Sequence, residues 1–201
     1  MFTVFLVDDD VRVVKALSRL LRGRGYTVEA YTSPQQFLDE HDGLSPGCAV
    51  LDLAMPGFDG LELQQALAER GLTRPIIFLT GNGDIPTTVR AMRAGAVDFL
   101  TKPASVSELV AAIERAQASD LAYRQTQSEL SALESRIATL TPREREVLAH
   151  VVAGKLNKQI AHELGTVEKT IKFHRGSLMR KLGVRMVADL VRLADKVGIG
   201  K

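Results

Sequence analysis

FTVFLVDDD, residues 2–10, is a run of apolar and β-favouring residues that stops on three consecutive aspartates. Three later runs share this form: GCAVLD (47–52), PIIFLT (75–80) and VDFLTKP (97–103). Each is short, rich in Val, Ile, Leu and Phe, and bounded by polar or turn-forming residues, as buried parallel strands are. A fifth run, YTVEAY (26–31), is less apolar. Between the runs lie stretches with helical periodicity near 11–23, 34–40, 59–70, 85–94 and 106–119. Strands alternating with helices predict an α/β unit, a five-stranded doubly wound parallel sheet with helices on both faces. Gly25, Gly71 and Gly95 follow helical stretches, where a left-handed cap is wanted. Ser105 with Glu108 reads as a capping box opening the last helix.

The runs end on Asp8 and Asp9, Asp52, Thr80 and Lys102. In an open parallel sheet, ligands bind outside the carboxyl ends of the strands, so these residues are expected to share a pocket. Three carboxylates packed together repel one another, and burial makes that worse. A hard divalent cation resolves the conflict, and Mg²⁺ suits a few carboxylates plus water. Lys102 and the Thr80 hydroxyl can then bind a phosphoryl group. Asp52 is the expected nucleophile because it ends the middle strand of the sheet; a carboxylate attacking a phosphoryl donor forms an acyl phosphate. Gly81 leaves room beside Thr80, and Ala54 can offer a metal only its backbone carbonyl. Asp10 is expected to cap the first helix. Any one of these residues at a strand end is commonplace; the ordered set is not.

Composition narrows the setting. The single cysteine, Cys48, excludes an intramolecular disulfide framework, fits a reducing cytoplasm, and lies in an apolar run as a small buried hydrophobe. The N-terminal run is too short for a signal sequence, and no stretch approaches the ~18 apolar residues of a membrane span. Residues 1–140 hold 13 Lys/Arg and 18 Asp/Glu, a balance of −5, whereas residues 141–201 hold 13 and 6, a balance of +7. That asymmetry points to an acidic module followed by a nucleic-acid-binding one.

Residues 104–138 turn to Ala, Gln, Ser, Glu and Leu and read as a helical linker. Leu130, Leu133, Ile137 and Leu140 form a short apolar stripe, for a coiled coil or for packing on a neighbouring domain. Thr141-Pro142-Arg143-Glu144 opens a new helix with a capping box and proline at its first position. Helical patterns follow near 157–164, 167–182 and 186–197, the first two joined by Gly165-Thr166, with Thr166 as the expected N-cap. A short helix, a tight glycine turn and a longer basic helix are the pattern of a helix-turn-helix.

Residues 1–119 resemble the receiver domain of bacterial two-component response regulators, on VDDD (7–10), LDLAMPGFDG (51–60), TGNGD (80–84) and AVDFLTKP (96–103). The resemblance implies a flavodoxin-like sheet with Asp52 as phosphoacceptor. Asp8, Asp9, Asp52 and the Ala54 carbonyl would serve Mg²⁺, and Thr80 and Lys102 would contact the phosphoryl group. It further implies a cis Lys102-Pro103 bond and Phe99 as the aromatic switch residue, a position that a core strand aromatic would fill equally well. Ala54 and Asn82 occupy positions that tune dephosphorylation. Residues 139–201, with LTPREREVLAHVVAG and NKQIAHELGTVEKTIKFHRGSLMRKLGV, resemble the LuxR-type helix-turn-helix, leaving 120–138 as linker. The whole chain is similar to response regulators of the NarL/FixJ family, nearest the FixJ-like branch.

The implied protein is a cytoplasmic transcriptional regulator that binds double-stranded DNA. It receives a phosphoryl group from a histidine kinase, forms a homodimer on phosphorylation, and has RNA polymerase as a further partner. It is not expected to be an enzyme, because the receiver assists only its own phosphorylation and dephosphorylation. Helix 167–182 should enter the major groove, Lys172 reading a guanine edge and Phe173 touching a thymine methyl or joining the core. Lys158, Thr170, Arg180 and Lys181 are expected on phosphates, with Lys169 and Arg175 completing the DNA-facing set. Gly176 stands where relatives often carry a contacting side chain. Helix 186–197 closes the small core and, in this family, mediates dimerisation. An aspartyl-phosphate phosphatase would want a second carboxylate where Ala54 stands. The chain could also be a constitutive DNA binder whose receiver only dimerises, or carry its basic domain as a protein-interaction module.

Overall fold

The computed structural model describes residues 2–41, 43, 45–81 and 83–199; Asn82 lies outside the described residues. Contacts divide the chain into two units, Met1–Arg124 and Gln125–Lys201. In the first, five strands alternate with helices: β1 (Thr3–Val7), α1 (Val11–Arg22), β2 (Thr27–Tyr31), α2 (Pro34–Glu40), β3 (Gly47–Leu51), α3 (Gly60–Glu69), β4 (Ile76–Thr80), α4 (Ile85–Arg93) and β5 (Asp98–Thr101). α5 (Val106–Ala138) follows as one 33-residue helix that spans both the expected last receiver helix and the expected linker. The strands are parallel in the order β2-β1-β3-β4-β5. The doubly wound sheet is thus as the sequence predicts.

Alternation along each strand builds two cores. Phe5, Val7, Leu51 and Phe78 face one side, with Phe37, Leu63 and Leu67 from α2 and α3. Val4, Leu6, Cys48, Val50 and Ile77 face the other, against Val14 and Leu21 of α1 and Leu109 and Ile113 of α5. Burying each such aliphatic or aromatic side chain contributes roughly 1.5–3 kcal/mol. Cys48 is wholly buried, and burial pushes its thiol up to about 12. The last strand starts later than the apolar run suggests: the Ala96 amide still donates to the Ala91 carbonyl of α4 at 3.1 Å, and the Val97 amide makes the first bond to β4, to the Ile76 carbonyl at 2.7 Å, before β5 begins at Asp98.

Local rules place most helix starts. The Asp10 carboxylate accepts from the Arg12 amide, the Ser105–Glu108 box closes in both directions, and Gly25, Gly71 and Gly95 have φ of 87°, 69° and 93°. The Lys102-Pro103 peptide is cis.

The second unit holds the end of α5 and four helices, α6 (Pro142–Val152), α7 (Asn157–Glu163), α8 (Glu168–Leu182) and α9 (Val187–Lys196). Leu140, Leu148, Ile160, Ile171, Leu178 and Leu190 form its core, and Ile137 packs against it, so the far end of the apolar stripe serves this unit. One cap differs from expectation. Val167, not Thr166, is the N-cap of α8, and it makes no side-chain cap bond. The Thr166 amide instead donates to the Ala161 carbonyl at 2.9 Å, closing the turn through Gly165. The tightness of that turn moves the helix start one residue on.

Gly60 shows how closely α3 approaches the end of β3. Its amide donates to the Leu53 carbonyl at 2.9 Å, and a Cβ there would fall 2.4 Å from the Asp52 carbonyl oxygen. Gly60→Ala is therefore expected to cost about 1–3 kcal/mol in urea unfolding of the whole chain. Gly176→Ala, on α8 with nothing within 4 Å, should instead gain about 0.4–1 kcal/mol.

Candidate functional site

Sheet order decides which strand ends meet. β1 and β3 are neighbours, Val7 pairs with Leu51, and the Asp52 amide donates to the Val7 carbonyl at 2.8 Å. The next residues, Asp8 and Asp52, therefore emerge side by side where the winding direction of the sheet reverses. Asp9 joins them: one carboxylate oxygen from each of the three lies within 4.8 Å of the others. Asp8 is 2% and Asp52 8% exposed, whereas Asp9 is open to solvent.

Among the described residues, one cation reaches this group. Lys102 Nζ, carried just past β5, sits 2.6 Å from Asp8 Oδ2 and 3.4 Å from Asp52 Oδ1. Backbone bonds fix the rest: the Asp10 amide donates to Asp8 Oδ1, and the Leu53 amide to Asp52 Oδ1, both at 2.9 Å. Burial pushes the Asp52 carboxyl above the usual carboxylate range and the Asp8 charge adds to this, while Lys102 opposes it. One ammonium against three carboxylates leaves excess negative charge. A donor set of clustered carboxylate oxygens fits a hard divalent ion such as Mg²⁺.

Thr80 ends β4 fully buried, beside Lys102, whose amide donates to the Thr80 carbonyl at 2.7 Å. Phe99 is half-buried, with its ring 6.0 Å from that of Phe78 and packed over Gly83, where a Cβ would fall 2.7 Å from Phe99 Cε1. It touches the core and solvent at once. Ala54 is exposed in the loop after β3. Gly81 has open space around its Cβ position.

In the second unit, α8 divides cleanly. Ile171, Leu178 and Leu182 are buried, whereas Lys169, Lys172, Phe173, Gly176 and Arg180 lie exposed. Their spacing of three, four and seven residues places them on one face. Phe173 is 70% exposed, which removes it from the core. Thr170 is half-buried and Lys158 of α7 is exposed. Lys172 pairs along the helix with Glu168 at 3.0 Å.

A family model for the response regulator receiver domain matches residues 4–114, and one for bacterial regulatory proteins of the luxR family matches 138–194. Nodulation protein W of Bradyrhizobium diazoefficiens is 43% identical over 98% of this chain and 86% of its own length. The transcriptional regulatory protein FixJ of the same species is 38% identical over 98% of this chain and 96% of its own. The chain is a response regulator of the NarL/FixJ family. Among solved structures, the response regulator StyR is 45% identical with a TM-score of 0.83, covering 97% of this chain and 98% of that one. Receiver and LuxR-type DNA-binding domain thus make this response regulator a two-component transcription regulator with a FixJ-like plan.

Besides Lys172, two of its expected DNA-facing cations are engaged within the domain, both with residues of other elements. Arg175 donates to Asn157 Oδ1 at 2.8 Å, bracing α8 against α7. Lys181 Nζ lies 2.7 Å from Glu144 Oε2 and 3.1 Å from the Thr139 carbonyl. Glu144 is the residue sequence reasoning undervalued. Its capping role was legible from Thr141, but it is also 4% exposed and accepts from Ser177 Oγ at 2.7 Å. Those partners lie more than 30 residues away, beyond any local pattern. Burial alone would raise its carboxyl, yet bonds from Lys181, Thr141 and Ser177 outweigh it and hold Glu144 at about 2.

Because the folded value lies below the ordinary 4.5, Glu144 stabilises the fold above about pH 5, and that contribution is lost as pH falls toward 2. Glu144→Gln is expected to cost about 1–3 kcal/mol at neutral pH. It should also flatten the acid limb of stability against pH, followed by circular dichroism.

Proposed function

We propose that phosphoryl transfer from a histidine kinase to Asp52 converts this regulator to a dimer that binds its DNA sites. The observation that carries this reading is the single ammonium of Lys102 set between the buried carboxylates of Asp8 and Asp52. An Asp52 carboxylate oxygen attacks phosphorus, a P–O bond forms, and the P–N bond of the phosphohistidine breaks, leaving its electron pair on the imidazole. Asp8, Asp9, Asp52 and the Ala54 carbonyl are the groups that would hold Mg²⁺, which when bound neutralises charge on the phosphoryl oxygens. Lys102 follows the new charge from carboxylate to phosphoryl oxygen. The Thr80 hydroxyl donates to a second oxygen, and Phe99, now packed against Gly83, follows into the space that the Thr80 side chain leaves. This reading includes no turnover of an outside substrate, because Ala54 supplies no second carboxylate.

The acyl phosphate acts by population shift: it favours whichever receiver state gives those oxygens more donors. The altered surface involves α4, β5 and the receiver part of α5. Dimerisation pairs two α8 helices on repeated half-sites in double-stranded DNA. Lys172 reads a guanine edge and Phe173 contacts a thymine methyl. Lys158, Lys169, Thr170 and Arg180 position the helix on phosphates, with Arg175 and Lys181 holding its pose. A DNA target supports action in the cytoplasm, with RNA polymerase as the downstream partner.

Wild type and Asp52→Asn, each given Mg²⁺ and a small phosphodonor, test the switch by sedimentation and DNA affinity measured together. Only wild type should dimerise and bind more tightly. An equal response from both proteins, or tight binding by both without phosphodonor, would sink the proposal in favour of a constitutive binder. Lys172→Ala should cost about 1–3 kcal/mol of DNA binding and relax preference at one base pair. Lys169→Ala should instead weaken all sequences alike and shallow the salt dependence.

A further inference from the structure

A second polar site lies on the flank of the sheet, where α1 meets the edge strand β2. Val14, Lys15, Ser18, Arg19, Arg22 and Ala30 line a cleft of about 450 Å³ there. None of them belongs to the Asp8–Asp9–Asp52 group. The lining contains three cations and no carboxylate.

Three observations converge on this cleft. Lys15, Arg19 and Arg22 stand at i, i+4 and i+7, so like charges are neighbours on one helix face, an arrangement that opposes the helix unless something negative sits between them. α1 carries no acidic residue in its first turn to offset them. Ser18, between them in sequence, is 6% exposed, and its Oγ has no hydrogen-bond partner. A serine within a helix ordinarily turns its hydroxyl to the carbonyl four residues back, and this one does not. Arg22 is already aimed: its Nη2 donates to the Val28 carbonyl of β2 at 2.9 Å, leaving further N–H groups of the guanidinium for the cleft.

We propose that the α1–β2 cleft binds a phosphate-class oxyanion, held by Lys15, Arg19, Arg22 and the Ser18 hydroxyl. A tetrahedral dianion has enough oxygens for donors on several sides, and its charge answers the clustered cations. The planar guanidinium fork suits phosphate oxygens in particular. A single carboxylate offers two oxygens and one charge. The bound anion would tie α1 to the sheet edge through Arg22 and satisfy the buried hydroxyl. This site stands independently of phosphorylation at Asp52.

The test is an NMR titration of the ¹⁵N-labelled full chain in Mg²⁺-free buffer at constant ionic strength. Inorganic phosphate, malonate and dimethyl phosphate are compared as probes. Phosphate should produce saturable shifts at the Ser18, Arg19 and Ala30 amides, with the other two probes at least tenfold weaker. Arg19→Gln should weaken phosphate binding tenfold or more, since it removes a charge-assisted donor. Ser18→Ala should weaken it about fivefold without lowering Tm in phosphate-free buffer, because only a partnerless hydroxyl is lost. Equal binding of malonate would assign the cleft to acidic side chains, and equal binding of dimethyl phosphate to a nucleic acid backbone; either overturns the proposal. So would the absence of saturable shifts, or unchanged affinity in Arg19→Gln.

Discussion

The pairing of β1 with β3 forces Asp8 and Asp52 side by side, because each follows directly on a residue of the register pair Val7–Leu51. Two carboxylates brought together by backbone hydrogen bonds cannot separate without breaking the middle of the sheet. The surroundings are arranged around that repulsion. Lys102 arrives from beyond β5 to bridge both groups, and the amides of Asp10 and Leu53 donate to them. Burial still leaves the Asp52 carboxyl above its usual range. A pocket with too much negative charge and donors already aimed inward is prepared for a cation and a phosphoryl group together.

The same constraint accounts for details of the backbone nearby. α3 begins so close to Asp52 that only glycine fits at position 60. The capping box of Asp59 with Glu62 then fixes that helix start. The C-terminal unit solves a related problem with opposite charge. Its basic helix α8 is anchored through a buried carboxylate, Glu144, which engages Lys181 and Ser177. The exposed residues along α8 are mostly lysine and arginine, with the Phe173 ring, Gly176 and one carboxylate, Glu168, among them.

Much of this was legible in the residues. Apolar runs ending on polar residues located the strands, and Asp10, Ser105 and Thr141 marked helix starts by their own side chains. Those signals are short-range, set by steric and hydrogen-bonding preferences that travel with the chain. Thr166 misled because two adjacent residues could each begin α8, and the Gly165 turn selected the later one. Phe173 was undecided because a large aromatic residue serves a core and a DNA face equally well; its 70% exposure settles the matter.

Sequence alone determined the order of elements, the split between an acidic and a basic half, and the identity of the residues at the strand ends. Those depend on local pattern and composition. Only the tertiary structure decided that strand order 2-1-3-4-5 brings Asp8 and Asp52 together under one lysine. It also decided that Glu144 captures Lys181, and that the Ser18 hydroxyl lies buried without a partner among three cations. Each is a meeting of elements distant in the chain or a matter of burial. Burial is set by what packs against a residue, which no local pattern records.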